Sequence, residues 1–141
     1  MVQSSPTRNW AALNSPTLAE TEQLAEAAFA QLPENFRRLC DGLVIQVIDF
    51  PDEETLNEMS AESEFDLLGL FRGQGLAHQP ALRETGAPPN MIWLYRRPLL
   101  DFWCEGEDSL GAVVTHVLVH EIGHHFGLSD DDIEAIEAGA A

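Results

Sequence analysis

The sequence predicts a single α+β domain, and three observations carry that prediction. An amphipathic stretch from Thr17 to Leu32 repeats at helical intervals, three short segments at 43–48, 65–71 and 91–95 are rich in β-branched and aromatic residues, and a long apolar-striped stretch runs from about Ser109 to Phe126. With 141 residues the chain is long enough to bury one core and too short for two.

The elements follow in order. Residues 1–14 show no consistent period and read as a loose leader, so the domain is expected to span 15–141. Ser15-Pro16-Thr17 offers a helix start, with Pro in the first turn and Thr17 to Glu20 at capping-box spacing. Leu18, Ala25, Ala28, Phe29 and Leu32 then mark an apolar face, and Pro33 stops the helix. A short helical turn passes through Phe36 and Leu39. Leu43 to Ile48, following Gly42, reads as a mostly buried strand. The acidic segment Pro51 to Glu64 holds a short helix over Thr55 to Met59, and Phe65 to Phe71 forms a second strand running into the glycines of Arg72-Gly-Gln-Gly75. Residues 73–90 read as a loop. A third strand, Met91 to Tyr95, ends by Pro98; because proline cannot donate to a central ladder, this strand is placed at or near a sheet edge. Trp93, Tyr95 and Trp103 read as sheet core.

The stretch Val113 to Val119 has the residue types of a strand but the period of a helix. Leu110, Val113, Val114, Val117, Leu118 and Glu121 recur at three and four, which predicts a buried helix from about Ser109 to Phe126 with Gly127 as its left-handed C-terminal cap. A short C-terminal helix around Ile133 and Ile136 follows, capped by the triplet Asp130-Asp-Asp132.

Composition narrows the function. The chain has 7 Lys and Arg against 24 Asp and Glu, a formal net charge of −17, which opposes any sequence-independent grip on phosphate backbones. Nucleic acid is therefore not an expected partner. The acidic residues cluster at 51–54, 62–64, 105–108 and 130–132, between apolar segments, as a solvated surface does. The alternative is a field that attracts cationic peptides. No apolar run approaches the roughly 20 residues of a membrane span. Pro6, Arg8 and Asn9 interrupt any export signal, so a soluble cytoplasmic protein is expected. Cys40 and Cys104 lie in no CxxC pair and are expected to stay reduced.

The chemistry concentrates in VLVHEIGHHFGLSDDD, residues 117–132, where His120, Glu121, His124, Gly127 and Asp130 fall at positions 1, 2, 5, 8 and 11 of one pattern. On a helix, His120 and His124 lie one turn apart and point two imidazoles at one ion. Glu121 lies about 100° round from His120, within reach of a water on that ion without taking a coordination place. A third protein ligand is needed, and Asp130 would lie about 15 Å further along the axis if the helix continued. The chain must turn back, and Gly127 is the residue that turns without steric cost. HExxH alone occurs by chance in many proteins; the added Gly and Asp bring the chance of both extra matches to roughly one in two hundred. Asp131 and Asp132 compete with Asp130 for the ligand role. His116, one turn before His120, is a fourth ligand, a hydrogen-bonding neighbour of a ligand or a buried structural histidine. His125 points away from the stripe and is not expected to ligate.

HEIGHHFGLSDDDIEAIE, preceded by Phe-Asp-Leu-Leu-Gly-Leu-Phe-Arg-Gly and Asn90-Met-Ile-Trp-Leu-Tyr-Arg-Arg-Pro98, resembles the minimal zincin-like metallopeptidase family of small bacterial proteins. The resemblance covers roughly Thr17 to Glu137. It implies a compact α+β fold, with a small mixed sheet packed on a long active-site helix. It also implies zinc held by the residues matching His120, His124 and Asp130, with Glu121 as catalytic base. Asp as the last ligand resembles the snapalysin-type variation on the metzincins. Two features depart from those relatives: the last methionine is Met91, so no methionine turn follows the motif, and no Tyr or His lies downstream to steady an oxyanion. Tyr95, Arg96, His78 or His116 would serve only if the fold brings one of them over the cleft.

Taken together these features predict a zinc-dependent metallopeptidase acting on a peptide or protein substrate, a cationic one if the acidic field attracts it, with the strand around Met91 to Arg96 binding it by strand addition. The runner-up is a proteolytically inactive zinc-binding or interaction protein that keeps the site for structure. A third reading, an acidic binding module with fortuitous histidines, predicts no stoichiometric metal.

Overall fold

Thr17 starts the first helix as its spacing predicts. Its hydroxyl accepts the Glu20 N–H at 3.1 Å while the Glu20 carboxylate accepts the Thr17 N–H at 3.0 Å, so two donors that the helix leaves unpaired are satisfied together. The computed structural model describes residues 8–73 and 89–139, so most of the loop expected at 73–90, His78 included, lies outside the described residues. Helix α1 runs Leu18–Ala30, buries Thr21 and Ala25, and ends ahead of Pro33. The turn expected through Phe36 and Leu39 is a short helix, α2 (Glu34–Arg37), followed by one tighter turn at Arg38–Cys40. Strand β1 is Val44–Ile48. Helix α3, Glu53–Glu58, begins a little earlier than expected because Asp52 caps it, accepting the Thr55 N–H at 2.7 Å. The second strand is shorter than its apolar run: β2 covers only Gly69–Arg72, and Phe65 instead packs edge-on against Phe50 at 5.2 Å.

Strand β3, Met91–Tyr95, lies where it was expected but not at an edge. The sheet order is β1-β3-β2, with β1 parallel and β2 antiparallel to β3, so β3 is paired on both sides. The proline argument fails because Pro98 never enters the ladder. The chain turns straight from Tyr95 into helix α4, Arg96–Glu105, which the sequence reading did not anticipate, and Pro98 sits in its first turn, where a missing N–H costs no intrahelical bond. Strand β1 is correspondingly an edge strand and not a mostly buried one. Ile45 and Val47 alternate inward, while Val44 and Gln46 are exposed, because α1 covers one face only.

Helix α5, Leu110–His125, is the long helix predicted from period. Ser109 caps it by accepting the Ala112 N–H at 3.1 Å, and Val113, Val114, Val117, Leu118, Val119 and Ile122 are buried against the sheet, α1 and α4. Its other end closes as predicted. Gly127 has φ +76°, the Gly127 N–H donates to the His124 carbonyl at 3.1 Å and the Leu128 N–H to the Gly123 carbonyl at 2.9 Å. That bond pair reverses the chain, and a left-handed residue other than glycine would cost about 1–2 kcal/mol there. Helix α6, Asp130–Gly139, then packs back on α5 through Ile133, which is fully buried, a contact worth roughly 1.5–3 kcal/mol of apolar burial. Among the described residues, no helix is long and apolar enough to cross a membrane. Cys40 and Cys104 are both free, the first buried and the second exposed.

Candidate metal centre

Because α5 presents its apolar residues to the core, the remaining stripe faces outward, and it carries His116, His120 and His124 at successive turns. The partners of this stripe come from α6. Asp130 and Glu137 are seven residues apart, two helical turns, so they share one face of α6, and the reversal at Gly127 lays that face along the histidines. His124 Nε2 lies 3.3 Å from Asp130 Oδ1, His120 Nε2 lies 3.2 Å from Glu137 Oε2, and His116 Nδ1 lies 2.6 Å from Glu137 Oε1. The rings of His116 and His120 sit 3.9 Å apart, and those of His120 and His124 meet edge to face at 5.7 Å.

This arrangement brings Asp130 to His124 and places His120 against Glu137. Among the described residues, the group of three whose ligand atoms all lie within 4.8 Å of one another is His116, His120 and Glu137. Glu137 was not singled out from the sequence. Its signal was present, as the seven-residue interval from Asp130 that puts two carboxylates on one face of α6, against the histidines spaced by four on α5. His116 is not a buried structural histidine: its side chain is 48% exposed, and it faces Glu137 of α6. His125 leaves the stripe as expected and lies against Phe71, with ring centroids 4.2 Å apart, and beside Phe126. Asp132 is engaged in the cap of α6, where its N–H donates to the Ser129 hydroxyl at 3.1 Å and its carboxylate accepts the Ser129 N–H. Asp131 sits exposed in the same first turn, where its charge favours the helix dipole.

Glu121 lies one residue off the stripe and is half-buried. Burial pushes its carboxyl above the ordinary value, and nearby His124 opposes that shift. Of the groups considered for an oxyanion, Arg96 is committed elsewhere, its guanidinium bonding Asp49 and Ser15 at 3.0 Å each. Tyr95 is 2% exposed; burial raises its hydroxyl, Arg72 opposes that rise, and the charges of Asp52 and Glu121 add to it.

The donors present suit zinc. Two imidazoles one turn apart, each with a ring nitrogen aimed at a carboxylate, form an N/O set of the kind that borderline divalent ions prefer over all-oxygen cages. A three-stranded mixed sheet set on a long helix that bears HExxH, with a reversal that returns carboxylates to that helix, is the build of a zincin-like α+β domain. Residues 40–140 match the zincin-like metallopeptidase family, and the chain belongs to that family. No curated protein matches the chain.

Proposed function

We propose that the chain is a zinc-dependent peptide hydrolase in which His120, His124 and Asp130 hold the ion and Glu121 is the general base. The observation that carries this reading is the Glu121 carboxyl, half-buried on α5 beside His124, whose Nε2 meets Asp130 at 3.3 Å. When bound, zinc lowers the pKa of a water and polarises the scissile carbonyl. Glu121 accepts the proton of the attacking water and passes it to the leaving amine. A carboxyl raised by burial suits both halves of that task, since it takes a proton more readily than an ordinary glutamate and still releases it. Asp130 faces His124 across the reversal, which brings the two proposed ligand atoms to within 3.3 Å of each other.

The proposed substrate is a peptide with basic residues, supported by a net charge of −17, with 7 Lys and Arg against 24 Asp and Glu. It does not bind by strand addition to β3, whose two sides are taken by β1 and β2. Zinc-loaded protein is expected to cleave a Lys- and Arg-rich peptide faster than an acidic one, with 1,10-phenanthroline stopping both reactions. Stable zinc binding without cleavage of any peptide or of casein would overturn catalysis and leave a zinc-holding interaction protein.

A further inference from the structure

We propose that His116, His120 and Glu137 form a second divalent-cation position, which overlaps the HExxH set at His120. Three donors of the right chemical type converge from two elements: His116 and His120 one turn apart on α5, and Glu137 from the second turn of α6 beyond Asp130. Ligand atoms around a tetrahedral ion at about 2.0–2.1 Å lie roughly 3.3 Å apart. The observed separations from the Glu137 oxygens, 2.6 Å to His116 Nδ1 and 3.2 Å to His120 Nε2, are close to that span. An ion arriving there takes the place of the direct contacts between the two imidazoles and the carboxylate.

The position is also reachable. Glu137 lines a groove of about 460 Å³ between α1 and α5, and Glu137 and His116 both line a second of about 280 Å³ floored by Phe102, Ala112 and Val113. His116 and Glu137 keep 48% and 28% of their side chains exposed. The donor set, two nitrogens and one oxygen, selects a zinc-type ion over calcium or magnesium. Since His120 Nε2 can face only one ion at a time, the two positions exclude each other. An ion held by His116 and Glu137 withdraws His120 from the HExxH set, so this position stores metal and does not catalyse.

The test is calorimetric titration of zinc alone into metal-free wild type, into His124→Ala/Asp130→Ala, and into that double variant with His116→Ala or Glu137→Gln added. All four side chains lie at the surface of α5 and α6, and circular dichroism checks that each variant is folded. The double variant is expected to keep one equivalent of zinc, bound more weakly than in wild type, and either added substitution is expected to weaken it about tenfold or more. Cobalt absorbance of the double variant gives an independent readout of the same ligands. The proposal is overturned if the double variant binds no zinc, or binds it with an affinity that neither added substitution changes. Loss of zinc from the double variant alone leaves the HExxH reading standing, whereas a wild type that binds none removes both.

Discussion

Gly123 and Ile133 meet with no room for a side chain between them: a Cβ on Gly123 would lie 2.7 Å from Ile133 Cγ1 and 2.9 Å from Cδ1. The close approach of α6 to α5 depends on this contact, and with it the reach of Asp130 and Glu137 to the histidine stripe. A glycine in the middle of HEIGH therefore helps to set the geometry of the candidate metal centre although it touches none of the proposed ligands.

Gly123→Ala sets two effects against each other. Alanine favours the helix interior by about 1 kcal/mol, while forcing a methyl into a packed contact costs about 1–3 kcal/mol and pushes α6 outward. The clash is expected to win: urea denaturation should show a less stable protein, and zinc titration a lower affinity. Wild-type zinc affinity in this variant would contradict the link between the two contacts.

Zinc should also stabilise the fold. An ion that binds only the folded chain adds about 2.7 kcal/mol at a hundredfold excess over its Kd, so a melting curve with zinc should lie several degrees above one with chelator. Asp130→Ala should narrow that gap without moving the melting temperature of the metal-free protein, because its side chain is 93% exposed. An unchanged gap would remove Asp130 from the ligand set.

Glu121 makes a pH-dependent prediction for the metal-free protein. Its folded carboxyl is raised above the ordinary 4.5, chiefly by burial. Folding then favours the protonated acid, so its stabilising contribution is complete below 4.5 and is lost as pH rises through the raised folded value. Glu121→Gln, which carries no charge at any pH, is expected to melt higher than wild type at neutral pH, with the difference closing in acid. A difference that grows on acidification would contradict the assigned direction.

Much of this was legible before the fold was seen, where local chemistry decides. The Thr17 to Glu20 capping box, the helical period through Val113 to Ile122 and the reversal at Gly127 are each written in a few neighbouring residues. What the sequence hid depends on distant neighbours. Pro98 looked like a strand terminator, yet it is a first-turn residue of α4, and the central place of β3 follows from pairings with strands that start about 20 and 45 residues earlier. Glu137 was one acidic residue among 24 until α6 folded back along α5.

The cysteines differ in a way that labelling reads directly. Cys40 is 1% exposed and burial pushes its thiol up to about 11, whereas Cys104 is exposed on α4. Ellman's reagent at neutral pH is expected to titrate one thiol in the native protein and two in denaturant. Rapid reaction of both native thiols would contradict the burial of Cys40 in the core.

The central claim is that Glu121 performs catalysis on an ion held by its neighbours. It is tested most directly by measuring zinc content and peptide hydrolysis together in wild type and Glu121→Gln. The account predicts equal zinc in both proteins, cleavage by wild type, and a rate in the variant lower by about two orders of magnitude or more. Equal rates, or a variant that cannot hold zinc, would contradict it.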